Sequence, residues 1–245
     1  MHIPRIYTPQ PLAPQQSLLL EPGASKHVLT VLRLKTGAPL ILFNGSGREF
    51  EARLDSAENH RARISIAVEH AARSESPLHI TLAQGISRAE RMDYTLQKAV
   101  ELGVAEIIPV LTERSVVRLD AKQAARKQQH WQQLVIAACG QSGRVSVPPV
   151  AASRTLNEFL ATPPRGGLSL LLHPAADVTL HALAAPAQNQ VRLLVGPEGG
   201  LSETESAAAQ RAGFTAVQLG PRVLRTETAA LVALSLLQAR WGDLA

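Results

Sequence analysis

The chain has 245 residues, 45% of them hydrophobic and 18% charged, with a net charge of +5 and a single cysteine, Cys139. No uninterrupted apolar run reaches the roughly 18 residues of a helical membrane span, so no membrane partner is expected. One cysteine excludes an internal disulfide, and without HExxH or paired CxxC signatures no metal site is expected. The opening MHIPRIYTPQPLAP has early prolines and no apolar core of a secretory leader, which predicts cytoplasmic residence. The length suits two domains.

Up to about Arg73 the pattern is short and strand-like: SLLLEP, APLILFN, GREFEARLD and RARISIAVEH, separated by Gly, Pro and Asn. Ile64, Ile66 and Val68 alternate as in a half-buried strand. A small β-barrel is the natural reading, with SKHVLTVLRL as a short amphipathic helix. RSESP makes a polar junction, and after Pro77 strands alternate with helices, as in an α/β domain on a largely parallel sheet. LHITLAQGI reads as a strand, AERMDYTLQKAVELG as a helix ended by Gly103, AEIIPVL as a strand, and KQQHWQQLVIAAC as part of a long helix. LSLLLH, VRLLV and TAVQL read as later strands, and the last helix runs from near Thr226 to about Arg240. Leu231, Val232, Leu234, Leu236 and Leu237 make that helix apolar around much of its circumference, which fits a subunit interface or complete burial equally.

Positive charge is concentrated in two zones. Between Pro22 and Arg48 lie Lys26, Arg33, Lys35 and Arg48 with no acid, and between Arg114 and Thr155 seven Lys/Arg face only Asp120. Arg118, Lys122, Arg126 and His130 are four apart and line one helix face. Such a row is either a solvated face or a phosphate-binding surface.

Two loops carry the chemistry. In VRLLVGPEGGLSETE a strand turns through Gly196, Gly199 and Gly200 into a helix whose start is marked by the Ser202/Glu205 capping box. Glycines there let a backbone approach a ligand, and loops at the carboxyl ends of parallel strands are where α/β folds bind ligands. Neither GxGxxG nor GxxxxGK[ST] is present, and Glu198 would repel a phosphate, so a cationic or hydroxyl-bearing ligand suits the loop better. LGPRVLRTETAAL repeats the design: Gly220 and Pro221 follow a strand, Thr226 is placed to cap the next helix, and Arg222 and Arg225 face a ligand or pair with Glu198 or Glu227.

Together with KAVELGV, TERSVVR, GQSGRVSVPPV and the N-terminal HVLTVLRLKTGAPLILFNGSG, these loops resemble in order and spacing the RsmE family of SPOUT-class methyltransferases. The resemblance covers nearly the whole chain. It implies a PUA-like RNA-binding β-barrel over residues 1–73 and, over 74–245, an α/β SPOUT domain with a mostly parallel sheet and a deep trefoil knot, which pattern reasoning alone would not propose. It also implies S-adenosyl-L-methionine as cofactor, N3 of a uridine in 16S ribosomal RNA of the small subunit as acceptor, and a homodimer. Carried over by position, the cofactor residues are Leu172, His173, Pro174, Gly196, Pro197, Glu198, Gly199, Gly200, Leu219, Gly220, Pro221, Val223, Leu224, Arg225 and Thr226. At one place the chain departs from the family: an acidic residue often precedes the glutamine of GQSGR, and here Gly140 stands.

For the reaction, Arg225 is the first candidate to stabilise charge on a uracil oxygen, and Glu198 and Glu227 are the carboxylates to accept the N3 proton or orient that arginine. Arg5, Lys26, Arg33, Arg48, Arg114, Arg118, Lys122, Arg126, Arg144 and Arg222 are the candidates for RNA contact. Two competing readings remain at this point: a SPOUT enzyme with another base or a ribose hydroxyl as target, and a non-catalytic ribosome-assembly protein that binds RNA.

Overall fold

The computed structural model describes residues 3–71, 75–117, 119–162 and 166–244. Two compact units are formed, residues 1–75 with 136–147, and residues 76–135 with 148–245.

In the first unit β1 (Arg5–Tyr7), β2 (Ser17–Leu19), β3 (Pro39–Phe43), β4 (Arg48–Glu58) and β5 (Arg61–Ala71) form a sheet in the order β1-β3-β4-β5-β2. All pairings are antiparallel except β1 with β3. The long β4–β5 hairpin closes through Asn59 and His60, both at positive φ (46° and 63°), the geometry that matches the twist of the flanking strands. Alternation along the hairpin sends Phe50, Ala52, Leu54, Ala62, Ile64 and Ile66 into one core, where they meet Leu18, Leu20, Leu40 and Leu42. Val68, grouped with Ile64 and Ile66 from the sequence, is instead exposed.

Over that core lies α1 (Pro22–Lys26), which begins earlier than the pattern suggests because Pro22 suits a first helical turn. It continues through a π-helical turn, His27–Val31, of which only Val28 is buried. The Ser25 hydroxyl fastens it to the sheet, donating to the Leu20 carbonyl (2.9 Å) and accepting from the Ala62 N–H (3.1 Å).

The second unit contains β6 (His79–Gly85), α2 (Ala89–Glu101), β7 (Glu106–Leu111), α3 (Ala121–Ser142, belonging to the first unit from Ile136 on), β8 (Arg154–Thr155), α4 (Leu156–Leu160), β9 (Leu168–Leu172), β10 (Val178–Thr179), β11 (Gln190–Val195), α5 (Glu203–Arg211), β12 (Thr215–Gln218) and α6 (Thr226–Trp241). Its seven strands are ordered β10-β12-β9-β11-β6-β7-β8, every pairing parallel. This is the expected α/β architecture with a largely parallel sheet. β6 is buried from Ile80 to Gly85, as a strand covered on both faces must be.

The order of the strands places the site. From β6 the chain steps outward to β7 and β8, returns at β9, and only then inserts β11 between β9 and β6. The loops after β9, β11 and β12 therefore leave the same edge of the sheet, beside the point where strand order reverses. α6 starts at this edge and packs chiefly on α2, burying Ala230, Ala233, Leu234, Leu237 and Gln238 while Leu231, Val232 and Leu236 stay half-buried. Complete burial within the chain is thus not the reason for its apolar girth. Gln238 is fully buried and fully used: it accepts from the Ser76 hydroxyl (2.6 Å) and donates to the carbonyls of Leu102 and Gly103.

Candidate active site

A cavity of about 400 Å³ opens at the carboxyl ends of β9, β11 and β12. Leu172, His173 and Pro174 line it from the first loop, Gly196 to Leu201 from the second, and Leu219, Gly220 and Arg222 to Thr226 from the third. Of the residues assigned to cofactor loops, only Pro221 is outside the lining. Val195 and Val217 add apolar wall from the strands themselves.

The second loop is built by short-range chemistry. The Gly200 N–H donates to the Pro197 carbonyl (2.8 Å), closing a turn in which Gly200 takes φ +68°. The capping box beyond it forms as the sequence predicts: Ser202 Oγ accepts from the Glu205 N–H while the Glu205 carboxylate accepts from the Ser202 N–H. Glu205 also accepts from the Glu113 N–H (2.8 Å), and Arg114 donates to the Gly199 carbonyl (3.2 Å), so residues 113–114 brace the loop. Arg114, grouped from the sequence with the RNA-contacting residues, thereby lines the cavity.

Glu198 is the charged centre of that loop. Its Oε1 accepts from the Arg88 N–H (3.0 Å) and lies 3.5 Å from the Arg91 guanidinium, while its Oε2 is buried with no partner among the described residues. An unpaired buried carboxylate oxygen is costly, and such atoms in native structures call for a functional explanation. S-adenosyl-L-methionine fits the lining: its ammonium, sulfonium and ribose hydroxyls suit a carboxylate and glycine-rich backbone, and its adenine suits walls such as Leu172, Val195 and Val217.

Arg222 and Arg225 both line the cavity, and neither is ion-paired among the described residues. The pairing with Glu198 or Glu227 that the sequence allows does not form; Arg91, for which the sequence gives no sign, takes the place beside Glu198. Glu227 lies outside the cavity lining at the start of α6, with Oε2 buried and without a partner among the described residues. Thr226 is not the cap of α6. That position is Arg225, without a side-chain cap, and the buried Thr226 hydroxyl donates instead to the Gly196 carbonyl (2.6 Å).

The basic residues separate into engaged and available ones. Arg144 is buried, donating to Glu75 at 2.7 Å, with the Val145 and Ser146 N–H groups on the same carboxylate. Arg5 bonds Glu49 (2.6 Å) and the Gly143 carbonyl (3.1 Å) and stacks over Phe43. These two hold the first unit together and do not present charge to solvent. A side chain at Gly140 would come within 3.4 Å of the Arg5 carbonyl, an ordinary contact. Arg48 is exposed but paired with Glu69. Lys26, Arg33, Lys122 and Arg126 are exposed, and none is ion-paired among the described residues. His130, the next member of the α3 row, pairs with Asp93 at 2.9 Å. Arg118 lies outside the described residues.

A parallel α/β domain with glycine-proline loops around one cavity, joined to a small β domain, is the architecture of an RNA methyltransferase. The RNA methyltransferase domain family matches residues 74–238, and the RNA methyltransferase PUA domain family matches residues 20–67. The chain belongs to this family, in the branch of the ribosomal RNA small subunit methyltransferase E proteins. The protein of that name from Buchnera aphidicola (subsp. Schizaphis graminum) is 34% identical over 99% of this chain and 98% of its own length. Its counterpart from Neisseria gonorrhoeae, solved bound to S-adenosyl methionine, is 43% identical with a TM-score of 0.93, covering 100% of both chains. A Legionella pneumophila protein solved in complex with the bound cofactor SAM is likewise 43% identical, with a TM-score of 0.95 and 100% of both chains covered.

Proposed function

We propose that the chain methylates N3 of a uridine in 16S ribosomal RNA of the small subunit, using S-adenosyl-L-methionine, and that it works in the cytoplasm as a homodimer whose C-terminal domain is trefoil-knotted. The observation that carries this reading is the cavity at the strand ends, where the partly buried Glu198, with Oε2 buried and unpartnered among the described residues, sits on a glycine loop and Arg222 and Arg225 line the same cavity. Support for the dimer comes from the half-buried Leu231, Val232 and Leu236 of α6. No helix among the described residues is long and apolar enough to cross a membrane.

When bound, the cofactor supplies an electrophilic methyl group on a sulfonium. The chain's task is to align that group with the uracil and to keep water out. Backbone groups of residues 172–174, 196–200 and 219–226 would hold the adenine and methionine parts, and Glu198 would supply a carboxylate for the cofactor's positive charge. Arg225 places its guanidinium against a uracil oxygen, stabilising the charge left as N3 gives up its proton. That proton would pass to a carboxylate, Glu198 at the cavity or Glu227 just beyond its lining, while the sulfonium's S–CH3 bond breaks, so that N3 gains the methyl group and both the base and the thioether left behind are neutral. Lys26, Arg33, Lys122 and Arg126, with Arg114 and Arg222 at the cavity, take the phosphates. The target base must be unstacked to be reached.

Arg225→Ala tests the assignment. Calorimetry with S-adenosylmethionine is expected to give a near wild-type affinity, while methyl transfer to 16S RNA falls about 100-fold, the loss seen when one preorganised charge-stabilising donor is removed. Wild-type turnover by that variant would remove Arg225 from the mechanism.

A further inference from the structure

We infer that Gln84, at the end of β6 and outside the cavity lining, is a positioning residue that holds two of the three cofactor loops, those after β11 and β12, in register through the Thr226 hydroxyl. The inference rests on the proposed cofactor site and adds to it a residue that touches neither reactant.

The geometry is a buried chain of hydrogen bonds. Gln84 Nε2 donates to Thr226 Oγ1 at 3.0 Å, and Thr226 Oγ1 donates to the Gly196 carbonyl at 2.6 Å. The second proton of Nε2 goes to the Gly85 carbonyl at 3.1 Å. A hydroxyl has one proton, so the Gly196 bond leaves Thr226 only acceptor capacity, and an amide donor is what can meet it. The polarity of the relay is therefore set: Gln84 to Thr226 to Gly196. It joins residues 142 and 30 positions apart in sequence and ties the first residue of the loop after β11 to the last residue of the loop after β12.

Two further observations say the relay serves the site and not the core. Gln84 is completely buried, yet its Oε1 has no partner among the described residues. For stability alone, an apolar side chain of similar volume would be as good or better, because a half-satisfied buried amide carries the desolvation cost of its free oxygen. Gly196 meanwhile lies close against the far end of its own loop. Even a Cβ there would lie 3.0 Å from Gly200 C and Leu201 N, so its carbonyl direction and the Pro197–Gly200 turn move together. Loss of the relay thus reaches the cofactor loop as a change of shape.

The test compares Gln84→Met, Thr226→Val, their double variant and Thr226→Ser, reading S-adenosylmethionine affinity by calorimetry, KM and kcat for methyl transfer, RNA affinity and thermal unfolding. Each of the first two is expected to weaken cofactor binding and raise its KM about tenfold, the scale of one net hydrogen bond. The kcat at saturating cofactor should change far less, and RNA affinity not at all. The double variant should lose about tenfold as well, not about 100-fold, because both changes break one relay. Thr226→Ser, which keeps the hydroxyl, should restore binding. Tenfold losses that multiply, or cofactor binding unchanged in folded Gln84→Met, would overturn the inference. If Gln84→Met does not fold, Thr226→Val against Thr226→Ser decides: equal affinities refute the relay. Failure of wild-type protein to bind the cofactor would instead refute the proposed function.

Discussion

Gly85→Ala separates a cofactor site shaped by backbone approach from one made only of side chains. Gly85 ends β6, and a Cβ on it would lie 2.5 Å from Pro197 N, 2.6 Å from Pro197 Cδ and 2.8 Å from Gly196 C. Non-bonded carbon atoms settle near about 3.5 Å, so the 196–200 loop would have to retreat by roughly 1 Å. All three opposing atoms belong to the loop's own backbone or to a proline ring, so none can rotate away. Overpacking of this kind costs about 1–3 kcal/mol. Whatever part of that the loop absorbs appears as lost cofactor affinity, since each 1.4 kcal/mol is about tenfold.

The expected result is an S-adenosylmethionine affinity reduced about tenfold or more, measured by calorimetry, with a thermal unfolding midpoint a few degrees lower. Gly23→Ala is the control. It lies in α1, a Cβ there meets nothing within 4 Å, and it should leave cofactor affinity unchanged and stability equal or slightly raised. A folded Gly85→Ala protein binding the cofactor within about twofold of wild type would refute the close-approach argument.

Burial pushes the Cys139 thiol up to about 12 from an ordinary 9.0, so the folded protein keeps a proton that the unfolded chain releases. Its contribution to stability is complete below the unfolded value and is lost as pH rises from about 9 towards 12. Alkylation at about pH 8.5 should be slow in native protein and fast in denaturant; rapid native labelling would contradict the burial. Charge reversal at Lys122 and Arg126 should weaken RNA binding and reduce the slope of log affinity against log salt by roughly 0.7–0.9 for each phosphate no longer neutralised, leaving cofactor affinity alone. An unchanged slope would return that helix face to solvent.

What was legible in the sequence was what short-range rules encode. The Ser202/Glu205 box lies within one helical turn, so its residues alone determine it. Glycine-proline turns after apolar runs likewise mark two of the three loops that line the cavity. Gly85 and Gln84 give no such signal: Gly85 meets Pro197 and Gln84 meets Thr226, and a contact between residues more than a hundred positions apart leaves no periodicity to read.

Thr226 departs from expectation for a related reason. A threonine before a helical run is a good cap, but the Thr226 hydroxyl accepts from the Gln84 amide and donates to the Gly196 carbonyl, and the cap position falls to Arg225. Arg144 shows the same limit for charge: a basic residue in a basic zone looks available until Glu75, 69 positions away, is found beside it. Arg91 is silent in the sequence because nothing in its helix indicates that Glu198 lies next to it.

The reaction itself can be observed directly. Small subunits from cells lacking this gene, incubated with the purified protein and S-adenosylmethionine carrying a labelled methyl group, should yield 16S RNA whose nucleoside digest contains label in 3-methyluridine at one position. Label in another base or on a ribose, or none at all from a protein that binds the cofactor, would rule out uridine N3 as the acceptor.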